Sequence, residues 1–79
     1  MPEEPSHSNA GRTFPIFLNG REHRCRSGTT VAELLAGLGA GGPGVAVERN
    51  GVVLSRDSHA ATLLRPGDRV EVVRLVGGG

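Results

Sequence analysis

The chain has 79 residues, enough for one domain at most, with a formal net charge of +1 and two aromatic residues, both Phe. Its arginines are spread along the chain and mixed with Asp and Glu, and no Trp or Tyr is present to stack on bases, which argues against a nucleic-acid binder. No apolar stretch approaches a membrane span, the N-terminus is acidic and polar unlike a signal peptide, and the single Cys25 leaves no intrachain disulfide or cysteine-based zinc site. The expectation is a soluble cytoplasmic protein with no nucleic-acid or membrane partner.

Met1 to Arg12 carries Pro, Glu, Ser, His, Asn and Gly with almost no apolar content and reads as a disordered arm, 1–12. A body of about 64 residues remains, near the lower limit for a single hydrophobic core. So small a body is better suited to presenting something to a larger partner than to housing a deep catalytic cleft.

Phe14 to Leu18 is apolar and β-rich, and Asn19-Gly20 is a strong two-residue hairpin signal into a second strand, roughly Arg21 to Arg26. Ser27-Gly28 closes that strand. Thr30-Val31-Ala32-Glu33 fits the capping box, and Val31, Leu34, Leu35 and Leu38 then recur at the spacing of one helical face. Gly39 is placed to stop the helix. Gly41-Gly42-Pro43-Gly44 is a loop, Val45-Ala46-Val47-Glu48 a third strand, and Asn50-Gly51 a second hairpin turn into Val52-Val53-Leu54. Ser58 to Leu64 reads as a short helical turn that supplies Leu63 and Leu64 to the core. Arg65-Pro66-Gly67-Asp68 suits a type II turn, and Arg69 to Val76 is the last strand.

Two hairpins cannot enclose a core alone, so the helix must cover one face of the sheet. Joining the first hairpin to the last strand around that helix gives an α+β, ubiquitin-like β-grasp fold over 13–76. Its sheet has four to five strands, with the first and last adjacent and parallel at the centre. The chain then ends on Gly77-Gly78-Gly79, expected to be a flexible reactive tail. Glycine has no Cβ, so such a stalk passes through a channel too narrow for other residues. A terminal carboxylate has a reference pKa of about 3.3–3.7, so at neutral pH it is an ionised nucleophile for an activated phosphate. The plain alternative is an end that simply frays.

Asn19-Gly20, Thr29-Thr30-Val31-Ala32-Glu33-Leu34-Leu35, Val45-Ala46-Val47-Glu48-Arg49-Asn50-Gly51, Pro66-Gly67-Asp68-Arg69-Val70-Glu71-Val72 and the closing Gly77-Gly78-Gly79 occur in that order. Together they resemble the ThiS family, the ubiquitin-like sulfur carriers of thiamin biosynthesis, from about Phe14 to the end. The resemblance implies a protein co-substrate rather than an enzyme. A ThiF-like adenylating enzyme would bind the body and use ATP to adenylate Gly79. A cysteine desulfurase or another sulfur donor would convert that end to a thiocarboxylate. A ThiG-like thiazole synthase would take the sulfur, while Gly77 and Gly78 give the tail reach. No cofactor bound by this chain is implied. Three features depart from the family pattern: Gly77 precedes the final Gly-Gly pair, Arg49 stands where relatives often keep an apolar residue, and the arm is longer than typical.

Each conspicuous residue has a sharp and a plain reading. Gly39 to Gly44 formally matches GxGxxG, but it follows a helix, contains Pro43 and lacks a βαβ unit, so it reads as a loop. Cys25, between Arg24 and Arg26, reads as an apolar filler rather than an activated thiol. His7, His23 and His59 show no metal-ligand spacing; His7 lies in the arm and the others read as surface residues. Strand alternation turns Ile16, Leu18, Val70 and Val72 toward the helix and leaves Phe17, Val73 and Leu75 outside, a candidate partner-binding patch beside the tail. Competing functions are a MoaD-like small subunit of molybdopterin synthase, a ubiquitin-type protein modifier, and a plain interaction module with an inert end.

Overall fold

The computed structural model describes residues 12–75. The expected arm, apart from Arg12, and the Gly77-Gly78-Gly79 tail lie outside them. The elements follow in the order β1 (Thr13–Leu18), β2 (Arg21–Arg26), α1 (Val31–Gly37), β3 (Val45–Arg49), β4 (Val52–Leu54), a 3-10 helix (Arg56–Ala61) and β5 (Arg69–Arg74).

Both hairpins turn on the Asn-Gly pairs. Asn19 and Gly20 have φ of 50° and 83°, and Asn50 and Gly51 have 54° and 85°, the left-handed conformations of a type I′ turn. At the head of α1 the Glu33 amide donates to Thr30 Oγ1 at 3.1 Å while the Thr30 amide donates to Glu33 Oε1 at 2.9 Å. The helix ends in a Schellman turn: with Gly39 at φ 72°, its amide donates to the Ala36 carbonyl and the Ala40 amide donates to the Leu35 carbonyl.

The five strands form one sheet in the order β2-β1-β5-β3-β4. β1 pairs with β5 in parallel, Phe17 opposite Arg69 and Leu18 opposite Val70, and the other neighbours are antiparallel. This is the β-grasp arrangement. Ile16, Cys25, Val47 and Val70 from the sheet meet Val31, Leu34 and Leu35 of α1 and Leu64 in one core. Leu18 and Val72 pack at its margin.

Three side chains sit differently from the sequence expectation. Leu38 is 42% exposed, because α1 ends at Gly37 and the Schellman turn folds Ala40 back against the core in its place. The 3-10 helix ends at Ala61 and Thr62 is extended, so the next two side chains point opposite ways: Leu64 is buried and Leu63 exposed. His59, read as a surface residue, is buried, and its Nε2 has no partner among the described residues.

Candidate functional site

The site is the end of β5, the strand that leads into the terminal glycines. β5 is central, so its course is fixed from both sides. At its start, Asp68 is buried and accepts three hydrogen bonds. Arg49 Nε donates to Oδ2 at 2.8 Å, the Arg65 amide to Oδ2 at 2.9 Å, and Asn50 Nδ2 to Oδ1 at 3.1 Å. Burial by itself would raise the Asp68 pKa. The bonds from Arg49, Arg65 and Asn50, with the Arg49 charge, outweigh burial and hold the carboxyl below its ordinary range. Arg49 therefore serves as the counter-ion of the turn that launches β5.

Toward its end β5 is held by two further contacts. Asn19 Oδ1 accepts the Val72 amide at 2.8 Å, and Asn19 Nδ2 donates to the Val72 carbonyl at 3.3 Å. On the other side the Leu75 amide donates to the Gly44 carbonyl. Gly44 has φ 81°, and a Cβ there would stand 3.4 Å from the Leu75 carbonyl oxygen. Through Gly44 the Gly39–Gly44 loop positions the exit strand.

A model of the ThiS family matches residues 16–79, most of this chain and through to Gly79. The chain belongs to the ThiS family.

The crystal structure of the ThiS thiamine biosynthesis protein from Geobacter metallireducens superposes with a TM-score of 0.68 at 36% identity, over 84% of this chain and 100% of that one. A solution structure of a thiamine biosynthesis protein from the same organism gives 0.67 at 34% identity, over 84% and 88%. A thiazole synthase of Magnetococcus marinus is 48% identical over 64 residues, and one of Paramagnetospirillum magneticum 38%. This ThiS-family chain spans 20% of the length of each of those two relatives. The uncharacterized protein ycf40 of Pyropia yezoensis is 34% identical over 92% of this chain and 97% of its own length.

In this ThiS-family body Phe17, Val73 and Leu75 are 43%, 51% and 60% exposed on the sheet face opposite α1. The register separates them. Phe17 lies opposite Arg69, whose guanidinium carbon is 6.0 Å from the ring centroid. Val73 is four residues further along β5, about 13 Å at the usual rise. Val73 instead joins Ala46, directly opposite it, and Val53 around a dimple of about 80 Å³ rimmed by Glu48 and Glu71. Val53 escaped the sequence reading, although counting back from Asn50-Gly51 pairs it with outward-facing Glu48.

Cys25 is buried on the core face, while Arg24 and Arg26 point the other way. Burial, and then the Asp68 charge, push its thiol pKa up. The cysteine borders a groove of about 220 Å³ between β2 and α1, whose lining also includes parts of His23, Arg24, Arg26, Glu33 and Leu38. It is packed as an apolar filler. No group of three His, Cys, Asp or Glu among the described residues is placed to hold a metal ion, and no helix among them is long and apolar enough to cross a membrane.

Proposed function

We propose that this chain is a cytoplasmic sulfur carrier of thiamin biosynthesis and that Gly79 is its reactive end. The observation that carries the reading is the family match that runs through to Gly79. The structure supplies its context: a central strand, clamped on both sides, that feeds the tail. A Gly79 carboxylate oxygen attacks the α-phosphorus of ATP in a ThiF-like enzyme and pyrophosphate leaves. The mixed anhydride turns a poor electrophile into an acyl donor. A persulfide sulfur supplied through a cysteine desulfurase then displaces AMP, and thiol reduction leaves the thiocarboxylate. The phosphate cradle and charge stabilisation for these steps belong to the larger partners, and this chain acts as their co-substrate.

Two thiazole synthases contain a region similar to this chain, which supports a ThiG-like thiazole synthase as the acceptor. The 79 residues include nine arginines and no lysine, so an activated Gly79 meets no lysine side chain of its own sequence. This favours a carrier over a modifier that builds chains on itself.

The test combines the protein with ATP, a ThiF-like enzyme and a persulfide donor, then adds thiazole synthase and its remaining substrates. The expected result is a mass gain equal to one oxygen exchanged for sulfur, reversed as thiazole forms. A charged carrier that a molybdopterin synthase large subunit consumes, and thiazole synthase does not, would move the assignment to the MoaD-like alternative.

A further inference from the structure

We infer that Asn19 is a positioning residue for tail activation, its side-chain amide extending the hydrogen-bonding edge of β1 by one more residue of β5 and so aiming β5 toward its partner's active site. The inference rests on the sulfur-carrier reading. β1 ends at Leu18, and its parallel pairing with β5 ends at Val70. Within a strand the N–H and C=O of one residue point to the same side. At Val72 both point toward β1, past the residue where β1 has stopped.

The Asn19 backbone amide still reaches β5, donating to the Val70 carbonyl at 2.8 Å. Its side-chain amide then meets the Val72 N–H and C=O together, satisfying the two groups that a continued β1 would have met with two successive peptides. The turn alone does not demand this amide. At φ 50° a type I′ position accepts Gly or Asp as readily as Asn. Asp would offer no donor to the Val72 carbonyl, and Gly would offer neither group.

The clasp works with Gly44. Asn19 holds Val72 from the β1 side and the Gly44 carbonyl holds Leu75 from the β3 side, so the last described residues cannot swing about one anchored edge. From Leu75 to Gly79 the chain runs through Val76 and the glycines, a reach of at most about 14 Å. With so short a stalk, a strand end released from one side points Gly79 away from the ATP site in most docked complexes. The body still docks, but fewer complexes react.

The second Asn-Gly turn provides the comparison. Asn50 makes the corresponding contacts at the other end of β5, accepting the Arg69 amide on Oδ1 at 2.9 Å and donating to Asp68. It stabilises the same strand without governing the tail.

The experiment uses the full chain with Asn19→Gly and Asn50→Gly, both compatible with their turns, at a temperature where circular dichroism shows both folded. Amide exchange at Val72 should quicken about fivefold in Asn19→Gly relative to wild type. In carrier-dependent ATP–pyrophosphate exchange, its kcat should fall at least about threefold while KM for the carrier stays within about twofold. Asn50→Gly should lose stability with kcat unchanged. An Asn19→Gly protein with wild-type kcat, unchanged Val72 exchange, or an effect confined to KM overturns the inference alone. A wild-type chain that supports no exchange overturns the sulfur-carrier reading, and the inference falls with it.

Discussion

Arg49 Nε lies 2.8 Å from Asp68 Oδ2, so the end of β3 and the turn into β5 are joined by a charged hydrogen bond buried on the Asp68 side and about a quarter exposed on the Arg49 side. Asp68 is nearly fully buried and carries two more donors, so removing it strands Arg49, Asn50 Nδ2 and the Arg65 amide together. Asp68→Ala should destabilise the domain by about 3 kcal/mol in urea unfolding. Losing less than about 1 kcal/mol would show that water replaces the carboxylate at little cost.

The same carboxylate sets a pH dependence. Its folded pKa is lowered, so its contribution is fully present above the unfolded carboxylate pKa of about 3.9 and is lost as pH falls through the lower folded value. Unfolding free energy should therefore fall on acidification below about pH 4–5, and more steeply in wild type than in Asp68→Asn. Parallel acid curves for the two proteins would assign the acid sensitivity to other groups.

Val73 and Val53 frame the apolar dimple beside the exit strand, whereas Phe17 stands apart under Arg69. All three are more than 40% exposed, so serine substitutions should shift stability by no more than about 0.5 kcal/mol. Val73→Ser and Val53→Ser should raise KM for the carrier in adenylation several-fold, with Phe17→Ser weaker. Titration of each variant against the adenylating enzyme tests the ranking, and a dominant Phe17 would place docking nearer the Asn19 turn.

The parts of this fold that were legible in the sequence are those decided locally. Asn19-Gly20 and Asn50-Gly51 demand left-handed backbone, and Thr30 and Glu33 satisfy each other's amides within one helical turn. The alternation of Ile16 with Phe17 and of Val72 with Val73 also assigned the two sheet faces correctly. What was not legible depends on distant partners. Leu63 and Leu64 are equally apolar, and only the end of the 3-10 helix decides which one turns inward. Nothing near Asn19 announces a bond to Val72, 53 residues away, and Arg49 looks out of place until Asp68 is set beside it.

Gly44 should be the glycine of its loop on which the hold on Leu75 depends. Its φ of 81° disfavours any side chain, and a Cβ would approach the Leu75 carbonyl at 3.4 Å. Gly44→Ala should cost about 1 kcal/mol and loosen the Leu75 amide in hydrogen exchange, while Gly42→Ala, with open space around it, should leave Leu75 protected. Equal protection of Leu75 in both variants would remove Gly44 from the account of the exit.

The raised thiol pKa and burial of Cys25 predict slow alkylation in the folded protein and rapid alkylation in denaturant. Cys25→Ala should still accept sulfur at its C-terminus. A variant that folds but no longer gains sulfur would make the thiol part of the route.

Where the sulfur resides is the most direct test. After charging with ATP, adenylating enzyme and persulfide donor, proteolysis and fragment mass spectrometry should find one oxygen replaced by sulfur at Gly79, with the Cys25 peptide unmodified. Sulfur added to Cys25, or an unaltered C-terminal peptide under conditions that charge another ThiS-family carrier, would contradict the account.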